Sequence, residues 1–215
     1  MRKPLLAIAL LAPIAAATAL WLPTAPHEQV VAASAPPQPT APQPTPAPLP
    51  GRIALAPAQV REALAAGLID HPIKTILSVP SRMEYGQFIW NDKAVPAGRA
   101  WIRVDLHAQL MSVFRSGHEI GTAVILYGAD GLPTPTGKFP ILAKLKDHRS
   151  ITYDNAPMPY TLRLTRDGVS IHGSNVRWGF ATHGCIGIPK AFAAKVFEVV
   201  KVGDEVLVVS GKPRR

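Results

Sequence analysis

Ala100-Trp101-Ile102-Arg103-Val104-Asp105-Leu106 is the stretch that decides the fold, because large apolar and polar residues alternate along it. A period of two sends successive side chains to opposite faces of an extended chain, so this is a half-buried strand. Working outward, Gln109-Leu110-Met111-Ser112-Val113-Phe114-Arg115 reads as a second strand, Ser116-Gly117 as a turn, and Ile120 to Tyr127 as a third strand. Short strands in this succession predict a meander. Gly128 to Gly137 is a loop rich in glycine and proline, and Ile141 to Lys146 is a further strand. Tyr160 to Leu164 and Val169 to His172 flank Asp167-Gly168 and predict a hairpin. Pro189 opens a helix whose apolar face is Phe192, Val196, Val199 and Val200, ending near Lys201. Gly203-Asp204 then turns the chain into a last strand, Glu205 to Val209. The expected fold class is mainly β with a few helices (α+β), in one compact unit over residues 99–210.

The preceding half reads differently. Residues 51–98 form a lead-in that packs on the sheet-rich part. It holds one helix from Pro57 to Leu68, with Val60, Leu64 and Leu68 on one side and Gly67 near its end. Outside that helix the segment is expected to be irregular, with Pro72, Pro80 and Pro96 breaking any long element. Residues 23–50 are a linker with ten prolines, and His27 and Glu28 are its only ionisable side chains. Such a stretch cannot bury a core and samples polyproline II, in which Pro36 to Pro50 reaches about 45 Å. Residues 1–22 pair Arg2 and Lys3 with an uncharged apolar run from Leu5 to Leu22. That is the pattern of an export signal, and the run also approaches the length of a membrane span. Two readings follow: a cleaved signal peptide, with Ala17-Thr18-Ala19 suiting a peptidase, or a retained membrane anchor.

The formal net charge is +9 and the sequence pI is near 10.0. The lysines and arginines are scattered and no aromatic platform is interleaved with them, which argues against nucleic acid as the partner. For an exported protein, an anionic polymer of the cell envelope is the more economical partner for this charge.

Cys185 is the only cysteine. An exported chain with one thiol has no intramolecular disulfide for it, and an unpaired thiol in an oxidising compartment is open to damage. Its surroundings, Ala181-Thr182-His183-Gly184-Cys185-Ile186-Gly187-Ile188-Pro189, pack poorly, which argues against a small buried hydrophobe. Thiolate is the attacking form, so an imidazole must take the proton. His172 and His183 are the candidates. Val169 and Ile171 share one face of the hairpin, which leaves Ser170 and His172 on the other. His172 at the strand end, with Gly173 letting the backbone turn, is the favoured base. His183, two residues from the thiol on the same extended stretch, shapes the loop or contacts substrate. No acid stands near His172 in sequence, with Asp167 at the far turn, so a backbone carbonyl at Gly173 is expected to orient the ring. The amides of Gly184 and Cys185 suit an oxyanion. A metal site from His172, His183 and Cys185 is a competitor, but it lacks a paired ligand spacing.

These residues resemble the L,D-transpeptidase, or YkuD-like, catalytic domain family. Ile171-His172-Gly173 and Thr182-His183-Gly184-Cys185 look like its signature. Pro133-Thr134-Pro135-Thr136-Gly137-Lys138-Phe139 resembles an upstream Thr-Pro-x-Gly-x-Phe segment, and Met158-Pro159-Tyr160 is typical of one branch. The resemblance covers about Ala100 to Val209 and implies a β-sandwich-like catalytic domain. It implies Cys185 as nucleophile, His172 as base and Gly173 as donor of the orienting carbonyl. It also implies peptidoglycan stem peptides as substrate, attacked between the third residue and D-alanine. A thioester then forms and an acceptor amine resolves it as a cross-link, without metal or cofactor. Carbapenems are expected to acylate the thiol, and the location is the periplasm or cell envelope, with the inner membrane as the site of any anchor. Many members carry Arg two residues after the cysteine, where this chain has Gly187. Arg163 or Arg177 is then expected to meet an acidic substrate group, with Met158 and Tyr160 as further substrate contacts. The competing activities are an L,D-carboxypeptidase, in which water resolves the thioester, and a cell-wall-binding module without catalysis.

Overall fold

Two sheets and a helix build one core, seen in a computed structural model that describes residues 49–129 and 131–210. The sequence readings for residues 1–22, and for the linker up to residue 48, lie outside the described residues. Among the described residues, no helix is long and apolar enough to cross a membrane.

The lead-in contributes β1 (Arg52–Ala54), helix α1 (Pro57–Ala65), β2 (Thr75–Leu77) and β3 (Phe88–Trp90). The meander follows as β4 (Ala100–Asp105), β5 (Leu110–Arg115) and β6 (His118–Val124). Then come β7 (Gly137–Pro140), β8 (Ala143–Arg149), β9 (Pro157–Arg163), β10 (Ser170–Ser174) and β11 (Ile186–Pro189). Helix α2 (Lys190–Val199) and β12 (Glu205–Val209) are the last elements among the described residues. The larger sheet runs β1-β2-β6-β5-β4-β12-β7 with β3 also paired to β6, and the smaller runs β11-β10-β9-β8.

The alternation read in β4 is realised. Ala100, Ile102 and Val104 are buried while Trp101, Arg103 and Asp105 are half-buried. Trp101 stacks on Phe114 of β5, its cross-strand partner, with ring centroids 4.3 Å apart. The meander turns at Ser116-Gly117, both residues having positive φ, as a two-residue hairpin requires. β6 starts earlier than the expected Ile120 and leaves the ladder at Val124. Beyond it, Leu126 bridges to Gly187 and Gly128 to Thr182, so the chain ties the two sheets together there.

Three expectations are corrected. Residues 51–98 are not irregular outside their helix, because β1, β2 and β3 are strands of the larger sheet. Each spans three residues, too few to display a period. The helix ends at Ala65 rather than Leu68. Gly67, at φ +68°, closes it while the Leu68 N–H bonds to the Ala63 carbonyl and the Gly67 N–H to that of Leu64. Leu68 is thereby left 61% exposed. Finally, Gly173 does not turn the chain. It continues β10, and a Cβ there would lie 3.1 Å from the Pro159 carbonyl oxygen, so its role is close approach.

Helix α2 packs on β9, β10 and β11 and aims the fully buried Phe192 at Phe88 and Trp90 of β3, with ring centroids 5.4 and 5.7 Å away. Burying a side chain of that size contributes about 2–3 kcal/mol. Ile102, Val113 and Ile120 of the larger sheet meet Leu162, Ile171 and Ile186 of the smaller in the same cluster. The smaller sheet is therefore apolar on its inner face, and its polar residues Thr161, Ser170 and His172 fall on the outer one.

Candidate active site

Register decides what stands beside the thiol. β10 and β11 are parallel, with Ile171 opposite Ile186 and His172 opposite Gly187. Ile171 and Ile186 are both wholly buried in the core. Alternation then puts His172 on the outer face, and Cys185, one residue before Ile186, falls on that same face. Two residues along one strand and one strand across is about 8 Å between backbones, a gap that a cysteine and an imidazole side chain can close. The Cys185 thiol points to the Gly168 carbonyl at 3.9 Å, beside the Ser170 backbone N–H. The Asp167-Gly168 turn, at the far end of the hairpin from His172, thus lies beside the nucleophile. The β9–β10 turn folds against the sulfur because parallel pairing brings the start of β10 alongside the start of β11.

A backbone carbonyl holds the imidazole. His172 Nδ1 lies 3.1 Å from the Gly173 carbonyl oxygen, and a carbonyl only accepts, so Nδ1 carries the proton. In the neutral ring Nε2 is then the basic nitrogen. Burial pulls the His172 pKa below its ordinary value, the Gly173 hydrogen bond acts against this, and the charge of His148 adds to the lowering. Burial pushes the Cys185 thiol up, with the Ser170 N–H opposing. Both causes favour the neutral pair, thiol and imidazole, over a resting ion pair.

The loop before the cysteine is shaped by space. Gly184 has φ +96°, a region that side chains with a Cβ rarely adopt. Beneath it, a Cβ on Gly128 would meet the Leu132 carbonyl oxygen at 2.1 Å and the Gly184 nitrogen at 2.9 Å. The Gly128 N–H donates to the Thr134 hydroxyl at 2.9 Å, which places the Pro133–Phe139 segment under the nucleophile loop. The Thr182 hydroxyl donates to the Cys185 carbonyl, fixing the turn from inside.

An open cleft of about 640 Å³ lies over Cys185. Gly184, His183, Met158 and Arg163 also line it. His172 and Gly173 do not line it; they sit half-buried and buried on the adjoining strand. Two expected substrate contacts are corrected. Tyr160 packs edge-on against Phe197 of α2, at 5.7 Å, and Arg177 is exposed with its Nε bonded to the Asn175 side chain. Neither lines the cleft. Sequence reading missed its other wall, His148 and Ser150 to Tyr153, together with Arg166. Tyr153 stacks on His183 at 4.1 Å and 16°, joining two loops far apart in sequence. Asp154-Asn155, both at positive φ, marked a turn there, but nothing local told where it would fold. Among the described residues, no three His, Cys, Asp or Glu side chains are grouped as metal ligands.

Comparison with known proteins finds similarity to one family. The family model for the L,D-transpeptidase catalytic domain (YkuD) matches residues 99–208, slightly more than half of the chain. L,D-transpeptidase 1 of Mycobacterium tuberculosis is 29% identical over 125 residues, covering 48% of this chain and 48% of that protein. The chain thus spans about half the length of the curated relatives it matches. Among solved structures, an L,D-transpeptidase from Stackebrandtia nassauensis is 26% identical, covers 57% of this chain and 61% of its own, and has a TM-score of 0.49. L,D-transpeptidase 3 from M. tuberculosis, in complex with a faropenem-derived adduct, is 20% identical over 51% of this chain and 59% of its own, with a TM-score of 0.46.

Proposed function

The chain belongs to the L,D-transpeptidase catalytic domain (YkuD) family, and from that premise we propose that it is an exported cysteine transpeptidase acting on peptidoglycan stem peptides. One observation carries the reading. The sole thiol lines an open cleft, on the same strand face as an imidazole whose protonated nitrogen is tied to a backbone carbonyl.

The steps follow from that arrangement. Cys185 Sγ attacks the carbonyl carbon between the third residue and D-alanine as its proton passes to His172 Nε2. The new oxyanion is held by the Gly184 and Cys185 amides, each such donor contributing about 3 kcal/mol to the transition state. On collapse the C–N bond breaks, His172 returns the proton to the departing D-alanine amine, and a thioester remains. An acceptor amine then attacks the thioester and loses its proton to His172. A new amide forms and the thiol is restored. A neutral resting pair suits this sequence, because the base must be unprotonated when the thiol attacks. The chemistry draws on side chains and backbone amides alone. His183, Thr182, Gly184 and Gly128 shape the loop, and Met158 and Arg163 meet substrate.

Residues 1–22 deliver the protein to the periplasm or cell envelope, and residues 23–50 hold the domain away from the membrane if the apolar segment is retained. The mass of the protein recovered from envelopes decides between cleavage and anchoring.

The faropenem-derived adduct named for the M. tuberculosis relative motivates the direct test. Incubation with a carbapenem, followed by intact-mass measurement, is expected to show one covalent adduct on the wild type and none on Cys185→Ala. No adduct on the wild type, or an equal one on the variant, removes the nucleophile from this reading. With purified tetrapeptide stems, dimers and released D-alanine identify transfer, and tripeptides alone identify hydrolysis.

A further inference from the structure

Position 187 is a glycine where the resemblance would place a cation, and its surroundings are tight. A Cβ on Gly187 would lie 3.1 Å from Ser174 Cβ and 3.4 Å from Leu126 Cβ. The next strand but one offers a replacement. Arg163 of β9 pairs with Ser170 of β10, so it shares the outer face with Ser170, His172 and Cys185, and it lines the cleft. Its Nε is buried without a hydrogen-bond partner, and it joins no ion pair among the described residues. Two other arginines also bury an unpartnered Nε. Arg52 is tied through a terminal nitrogen to the Glu119 carbonyl, and Arg115 to those of Asp92 and Val95. No such side-chain bond holds Arg163 among the described residues. Its neighbours in the cleft are Arg166, His148, His183 and one carboxylate, Asp167, so the described lining carries more basic than acidic groups.

Resting on the transpeptidase reading, we propose that Arg163 binds a carboxylate of the donor peptide and so selects donors that carry it. A guanidinium presents parallel N–H groups that match a carboxylate in two hydrogen bonds, and a half-buried one is screened less than a surface charge. Its terminal nitrogens make no hydrogen bond or ion pair among the described residues, which leaves them for a partner that arrives with substrate. The carboxylate has two sources: the terminus of the departing D-alanine, and an acidic side chain on the third residue.

Three synthetic tetrapeptides separate these sources: one with both carboxylates free, one amidated at its C-terminus, and one amidated on the third-residue side chain. D-alanine (or D-alaninamide) release gives kcat/KM for each. For the wild type, one amidation is expected to lower kcat/KM about 10–100-fold, the range of a charge-assisted pair, mainly through KM. Arg163→Gln is expected to show that same loss on the free peptide and no further loss on the sensitive amide, with Arg163→Lys partly restoring it. The proposal is overturned if neither amidation affects the wild type, or if Arg163→Gln slows all three peptides equally. The wild-type comparison needs no variant, so a poorly folding Arg163→Gln does not shield the idea. A wild type that forms the carbapenem adduct yet treats all three peptides alike loses only this proposal. A wild type with no adduct and no turnover of any peptide loses the transpeptidase reading and this with it.

Discussion

The two sheets bury their inner faces in one core but treat polar groups oppositely. In the larger sheet, Glu119 is 6% exposed, and its carboxylate accepts the Leu77 N–H at 2.7 Å, binding β6 to β2. Arg52 reaches the Glu119 carbonyl, and Arg115 two carbonyls of the lead-in. Polar groups there are spent on holding strands together. In the smaller sheet, Cys185 meets the Gly168 carbonyl only at 3.9 Å and the Ser170 N–H, His172 is bonded through one nitrogen, and no side-chain hydrogen bond or ion pair holds Arg163 among the described residues. A scaffold ties its polar side chains to its own backbone, as the terminal nitrogens of Arg52 and Arg115 are tied, whereas a site leaves some for its ligand. The outer face of β9, β10 and β11 has the second character.

The largest effect expected from breaking this contrast is at His172. His172→Ala should slow carbapenem acylation about 10²–10⁴-fold, the usual weight of a general base, followed by intact mass over time. Its melting temperature should change little, since the half-buried ring forms one side-chain bond. A variant that unfolds instead would make the ring a structural member like those of the larger sheet.

Two glycines sharpen the comparison next. Gly128→Ala drives a Cβ to 2.1 Å from the Leu132 carbonyl oxygen, beneath the nucleophile loop. Gly121→Ala drives one to 2.5 Å from the Trp90 ring and 2.9 Å from Phe192, in the core under the larger sheet. Each should cost about 1–3 kcal/mol by overpacking. Only Gly128→Ala should also lower the acylation rate per folded molecule, measured by active-site titration. Equal rate losses in both would dissolve the distinction.

Glu119→Ala leaves the buried Leu77 N–H without its acceptor and should cost about 1–3 kcal/mol in denaturant unfolding. Acylation by the folded fraction should be unchanged.

The smallest effect is in pH dependence. Burial holds the His172 pKa below that of the unfolded chain, about 6.5. The unfolded state therefore binds the proton first, so this contribution to stability is complete above about pH 6.5 and falls as the pH drops below it. His172→Gln should flatten that part of the stability profile. The acid limb of acylation should likewise lie below pH 6.5 in the wild type.

How much of this was legible in the chain differs by element. β4, β5, β9, β10, α2 and β12 are visible because their periods are local: Ile102 and Val104 must face one way, Phe192 and Val196 must share a helix face. β1, β2, β3, β7 and β11 are three or four residues long and show no period, so they are defined by partners rather than by their own pattern. At the site, Cys185 and His172 stand out by residue type, and the Gly173 carbonyl follows from the lack of a nearby acid in sequence. Tyr160 entered through a segment typical of the resembled family and Arg177 as a stand-in for its missing arginine, and neither ground specifies a side chain's direction. Tyr160 turns to Phe197, and Arg177 lies out on its loop.

By itself the sequence determined a β-rich domain and a single thiol with two histidines as candidate bases. Those properties depend on side-chain chemistry and short-range alternation, which neighbouring residues alone establish. Only tertiary structure decided that the β9–β10 turn lies against the sulfur, that Tyr153 stacks on His183 to wall the cleft, and that Arg163 rather than Arg177 faces it. Each depends on strand register or on loops that meet across the fold, and such pairings arise from packing the whole core, beyond the reach of any local pattern.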